Sequence, residues 1–342
     1  MANAGIRFSL GISISAGMLL FVALAGCGEG RAGSEPDGRK LVVATTTMIA
    51  DLARQIGGEH VRVVCIMRPG TDPHIYEPTP EDSILFRKAD LVLVNGLHLE
   101  GRMLDMIESA GTKVSPLGQH PKIHLRESAA AGAPDPHVWW NVGNFIIFAE
   151  QARDALKQIA PEHAEVFDRR AATYIGQLAA LDAWVRDSVH TIPERSRYMI
   201  TSHDAFYYFG EAYGLEVDAV LGISTDAQAR AGEQDRLARI VAERKIPAIF
   251  HETSVSAAQN ELVDGIRRLA KEKYGHDLLV AGSLYSDSLG DAASRADTYV
   301  NAVIANTRMI VAGLGGQVSD VTSVMAASAT ATQPTTARSP DV

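Results

Sequence analysis

One tripeptide occurs twice in this chain, as Asp72-Pro73-His74 and as Asp135-Pro136-His137. Proline stiffens the approach to each imidazole, and the aspartate before it can orient the ring or cap the turn. A third histidine, His203, follows the apolar run Arg197 to Thr201 and sits in Ser202-His203-Asp204. Asp287 follows the run Leu278 to Leu284, in Ser286-Asp287-Ser288. Three imidazoles and a carboxylate suit a borderline divalent cation. Neutral imidazole binds Zn²⁺ well, and aspartate adds a hard oxygen and negative charge. Any one of these residues alone is more often ordinary than a ligand; the repeated motif and the shared loop placement single out the set.

Enzyme signatures are missing from the sequence. It has no GxSxG elbow, no phosphate-binding GK[ST] loop, and no GxGxxG after a strand. His251-Glu252 begins like a metalloprotease HExxH, but Val255 stands where the second histidine belongs. Glu252 follows the run Ile246 to Phe250 and is expected in a cleft-facing loop. There it either aims a histidine N–H or joins a buried ion pair. His60, His163, His190 and His276 read as solvated. His98, in Asn95-Gly96-Leu97-His98-Leu99-Glu100, is a rival ligand but reads better as a packed structural histidine. His120 and His124 share a loop with Pro121 and Lys122; the pair hints only weakly at metal capture.

The elements that must position these residues alternate. Strands are expected at Leu41–Thr45, Val61–Met67, Leu91–Asn95 and Val114–Leu117, with helices at Met48–Ile56, Glu81–Lys88 and Arg102–Ser109. The second half repeats the plan. It has strands at Arg197–Thr201, Val217–Leu221, Ile246–Phe250 and Leu278–Leu284, and helices at Ala205–Tyr213, 233–243, 259–273 and Tyr299–Leu314. Such alternation predicts two α/β lobes, each a mostly parallel sheet flanked by helices. Three of the four candidates follow strand ends, and His137 precedes a helix near Asn141. Ligand crevices of open α/β sheets lie outside the carboxyl ends of the strands, so the four residues should meet in the cleft between lobes. Between the halves, Phe167, Ala171, Tyr174, Leu178, Leu181, Val185 and Ser188 recur at steps of three and four. That spacing predicts one helix over 161–191, about 45 Å long and so able to bridge both lobes.

The 342 residues are 46% hydrophobic and 21% charged, an ordinary globular balance with room for more than one core. A net charge of −9 argues against nucleic acid as a partner. Two cysteines, Cys27 and Cys65, are too few for a disulfide scaffold. Residues 1–26 read as a secretory leader: a lone Arg7, then an apolar segment ending Leu24-Ala25-Gly26-Cys27. This resembles a bacterial lipoprotein box, with Cys27 the lipidated residue and 27–39 a flexible linker; a plain transmembrane anchor is the alternative. Cys65 is then an unpaired core thiol. The lobes are expected at 40–160 and 192–316. The tail, 317–342, is rich in Ala, Thr, Ser and Pro and is expected to be disordered.

Taken together, the lipobox, DPHIYEPTPED around His74, NGLHLEG at 95–101, DPHVWW at 135–140, TSHDAFYYFGEAYGLE at 201–216, IPAIFHETSV at 246–255 and YSDSLGD at 285–291 resemble a known family. It is the zinc/manganese group (cluster A-I) of solute-binding lipoproteins of bacterial ABC importers, and the likeness spans about residues 40 to 315. The resemblance implies two lobes joined by one long rigid helix, with one Zn²⁺ or Mn²⁺ carried per chain at their interface. It places the four ligands on His74, His137, His203 and Asp287, with no ligand role for His98. It implies a lipid-anchored monomer outside the cell membrane that serves a permease and its cytoplasmic ATPase. Manganese-preferring members often carry Glu at the third position, where this chain has His203. Zinc-dedicated members often carry a long His-rich loop, reduced here to His120 and His124. Two other functions use the same features: a metallohydrolase built on the same His/Asp set, and a surface adhesin. An enzyme would need an open coordination position and a general base beside it.

Overall fold

The structure, a computed structural model, describes residues 38–127, 132–324 and 326. The leader, Cys27, most of the linker and the end of the tail lie outside the described residues. The chain enters at β1 (Lys40–Ala44) and continues through α1 (Thr47–Gly57), β2 (Val61–Cys65), α2 (Pro80–Lys88), β3 (Leu91–Val94), α3 (Leu104–Ala110) and β4 (Val114–Pro116). All four strands pair in parallel in the order β2-β1-β3-β4. Val42 stands opposite both Val63 and Leu91.

The central strands, β3 throughout and β1 after Lys40, are apolar at every position because both faces of the sheet are covered. Leu41, Val43, Val92 and Val94 pack toward Phe86 of α2 and Met103. Their alternates Val42, Ala44, Leu91 and Leu93 join the main core with α1 and α4 (Val142–Ile159). Thr79 starts α2 with a capping box, accepting from the Asp82 N–H while Asp82 accepts from the Thr79 N–H.

A 3-10 turn at Pro161–His163 leads into α5 (Ala164–His190), 27 residues or about 40 Å. Its buried stripe holds Phe167, Ala171, Tyr174, Leu178, Leu181, Val185 and Ser188, the residues marked by the three-and-four spacing. Along that stripe α5 packs on α1 and α4 at one end and, in the second lobe, on α6 (Tyr207–Tyr213) and α9 (Tyr299–Gly313) at the other.

The second lobe adds β5 (Tyr198–Thr201), β6 (Glu216–Ala219), α7 (Glu233–Arg244), β7 (Ala248–Glu252), α8 (Ala257–Tyr274) and β8 (Leu279–Leu284). Its parallel ladder is split into the pairs β5-β6 and β7-β8, with β5 lying beside β7. An irregularity between Ile249 and His251 bends the second pair. β7 runs on past it to Glu252, which is the last residue of a strand and not part of a loop.

Two further expectations are corrected. The helix expected from Ala205 begins at Tyr207, because the Ala205 N–H turns back to the His203 carbonyl (3.0 Å). Residues 317–324 of the tail pack on the fold: the Trp184 indole donates to the Ser319 carbonyl (2.9 Å), the Ser319 N–H donates to Ser188 Oγ (3.1 Å), and Val324 is fully buried. A short apolar pair, Val321 and Val324, gives this segment enough surface to bury despite its composition.

Candidate metal centre

His74 lies in the long loop after β2. Its N–H donates to Asp72 Oδ1 (2.9 Å), the turn that the preceding aspartate can make. The second copy of the tripeptide does more. Asp135 Oδ1 accepts from the His137 N–H (3.0 Å) and meets His137 Nδ1 at 2.8 Å. The carboxylate so fixes the proton on Nδ1 and leaves the Nε2 lone pair pointing outward. Asn95, just past β3, anchors this loop by donating from Nδ2 to the Pro136 carbonyl (3.0 Å).

From the second lobe, His203 leaves the end of β5, and Glu252 grips it twice. Oε1 accepts the His203 N–H (2.7 Å) and Oε2 lies 2.6 Å from Nδ1. This contact fits either role open to Glu252, aiming the ring or pairing with its charge. Asp287 follows β8, and its N–H donates to Ser254 Oγ (3.1 Å). Both neighbouring indoles, Trp139 and Trp140, donate to the Ser286 carbonyl at 3.3 and 3.0 Å. Ser288 ties the same loop back to the first lobe: its Oγ accepts the Gly70 N–H (2.9 Å) and lies 3.3 Å from Thr47 Oγ1.

The four side chains converge. His74 Nε2 is 3.2 Å from His137 Nε2 and 3.6 Å from Asp287 Oδ2; His137 Nε2 is 3.5 Å from Asp287 Oδ1; His203 Nε2 is 3.0 Å from Asp287 Oδ2. One ligand atom from each lies within 4.8 Å of all the others. A tetrahedral ion with bonds of about 2.0–2.1 Å sets its ligand atoms about 3.3 Å apart. His137, His203 and Asp287 are buried, and His74 at 8% exposure is the most open of the four. Both Asp287 oxygens are buried, and the imidazole nitrogens are the groups they face. A lone buried carboxylate is costly, and here it faces three imidazole nitrogens.

The electrostatics follow from that packing. Burial alone would push the Asp287 carboxyl up, but His203 and His137 outweigh it and hold the group below the usual carboxylate range. Burial likewise opposes a charge on His203, yet Glu252 and Asp287 hold its imidazole well above the ordinary value. For His74 burial is the larger effect: it outweighs the pull of Asp287 and drives the imidazole down to about 3. Asp135 is held down against burial by its bond to His137 and by Arg126.

His98 is not packed. It stands exposed, with φ of +63° after Leu97 at +56°. The loop pays for that left-handed pair because Glu100 is locked beneath it, accepting from Thr45 Oγ1 (2.7 Å), the Asn95 N–H (2.8 Å) and the Gly96 N–H (3.1 Å). His120 and His124 lie outside the cluster. His60 and His163 are half-buried, with ring centroids 4.2 Å apart and planes tilted by 39°; His276 donates from Nε2 to the Ile246 carbonyl (2.8 Å). Cys65 is half-buried, bonded to the Met67 carbonyl, and burial pushes its thiol up to about 11.

Sequence reasoning missed Asn95, Glu100, Thr47, Ser288 and Arg126. The one available signal was polar residues, Asn95 and Glu100, set in an otherwise apolar run after a strand.

Residues 42–313 match the family described as "Zinc-uptake complex component A periplasmic". The chain is 39% identical over 281 residues to the manganese-binding lipoprotein MntA of Bacillus subtilis, covering 81% of this chain and 90% of that protein. It is 38% identical over 280 residues to the zinc-binding protein TroA of Treponema pallidum, with the same coverage. The solved structure of the periplasmic zinc-binding TroA superposes with a TM-score of 0.77, covering 81% of this chain and 99% of that one.

Proposed function

The chain belongs to the family of periplasmic zinc-uptake components, and from that footing we propose that His74, His137, His203 and Asp287 carry one Zn²⁺ or Mn²⁺ between the lobes. The protein is an extracytoplasmic metal-binding solute-binding protein of a metal ABC importer. Its partners in this reading are a permease and a cytoplasmic ATPase, and lipid on Cys27 holds it at the membrane. Among the described residues no helix is long and apolar enough to cross a membrane.

The observation that carries the proposal is the convergence of four ligand atoms, two from each lobe, within 4.8 Å in a buried place. The ion is cargo. Four protein ligands would complete a tetrahedron and leave no position for an activated water, and the carboxylates beside them, Glu252 and Asp135, are taken up by His203 and His137. This favours capture over hydrolysis.

One of the two relatives named above is called manganese-binding and the other zinc-binding, so the donor set must decide. Three imidazoles place Zn²⁺ above Mn²⁺ in affinity. Calorimetric titration tests the set. One Zn²⁺ should bind per chain, His74→Ala, His137→Ala and His203→Ala should each weaken it severely, and His98→Ala should leave it unchanged. Unaltered affinity in His74→Ala, or loss in His98→Ala, would overturn the assignment.

A further inference from the structure

We propose that Arg126 is a positioning residue for the metal centre: one guanidinium nitrogen ties together the two carboxylates that adjoin His137 and His203, and so fixes the spacing of two ligands from opposite lobes. This rests on the reading that those histidines hold a metal.

Arg126 Nη1 lies 3.3 Å from Asp135 Oδ2 and 2.8 Å from Asp204 Oδ2. Asp135 spends its other oxygen on His137, and Asp204 is the residue after His203. The backbone repeats the connection. The Arg126 N–H donates to Tyr208 Oη (2.9 Å), Tyr208 Oη donates to the Asp135 carbonyl (3.0 Å), and the Asp135 N–H donates to the Arg126 carbonyl (2.9 Å). The guanidinium also sits 4.1 Å from the centre of the Tyr207 ring. The contacts of Arg126 with Asp204, Tyr207 and Tyr208, and that of Tyr208 with the Asp135 carbonyl, join the first lobe to the second.

An exposed ion pair would contribute little. Here the Arg126 side chain is 32% exposed, but that of Asp135 is fully buried. Removing the cation leaves two carboxylates that had shared one nitrogen facing each other across the cleft. They relax by separating, which draws His137 away from His203. Both imidazoles meet Asp287 through Nε2, so the separation opens the ligand set.

The test is release of Zn²⁺ from preloaded protein into excess chelator. Groups that act through a ligand's partner typically shift metal affinity about 10–100-fold, and Arg126→Met should speed release about tenfold. Arg126→Met/Asp204→Asn, which removes the repulsion, should return the rate to near wild type; a merely structural arginine would not be rescued in this way. Should Arg126→Met fail to fold, Arg126→Gln, which keeps a donor without the charge, should still release Zn²⁺ faster. A wild-type rate in either single variant, or a double variant as fast as Arg126→Met, overturns the inference. Failure of the wild-type chain to take up Zn²⁺ would instead overturn the ligand assignment.

Discussion

Two imidazoles of the site, His74 and His203, are shifted in opposite directions because their neighbours differ. His74 is driven down to about 3 by burial and is neutral at pH 7. His203 faces two carboxylates, Glu252 and Asp287, and remains protonated there. A metal can bind His203 only by displacing that proton. Binding at pH 7 should therefore release the His203 proton, and affinity should rise as pH rises, by about tenfold per pH unit for one proton, until the raised His203 value is passed. Titration calorimetry in buffers of different ionisation heat measures the count. Glu252→Gln should reduce it; an unchanged count would show that Glu252 does not hold the charge. The four residues of the proposed ligand set stood out in the sequence because a tripeptide repeats and three of them follow apolar runs. Arg126, Asn95 and Glu100 were not, because each acts through a contact made only when distant segments close.

At the scale of elements, the strands fall within a residue or two of their expected places, since unbroken apolar runs such as Leu91–Val94 admit few other readings. Misplaced ends have local causes. Strand pairing was expected over Val217–Leu221, but β6 stops at Ala219, and the Val220 and Leu221 N–H groups turn to the carbonyls of Thr201 and Ser202 (3.3 and 2.9 Å). The tail departs furthest from expectation, because composition does not reveal a strap held by one indole and one hydroxyl. A chain ending at Gly316 loses the Trp184–Ser319 bond and the burial of Val324. It should be destabilised by about 2 kcal/mol, with a red-shifted Trp184 emission and no change in Zn²⁺ affinity. Denaturant unfolding followed by fluorescence is the check; an unchanged midpoint would mean the strap carries no stability.

For the whole molecule, one apolar stripe on α5 packs against helices of both lobes. Bending that helix would break its backbone ladder and open the core on both sides, so metal release should proceed by movement of ligand loops. The loop of Asp287, tied across by Ser288 to Gly70 and Thr47, is where such movement should appear. Solution scattering of metal-free and Zn²⁺-loaded protein should give the same radius of gyration; a clear expansion on metal removal would refute the rigid joint. The central claim concerns the four atoms at the cleft, and X-ray absorption at the zinc edge of the loaded protein tests it most directly. The predicted shell is three imidazole nitrogens and carboxylate oxygen at about 2.0–2.2 Å, with no sulfur. A six-coordinate, oxygen-dominated shell, or one with a sulfur scatterer, would contradict it.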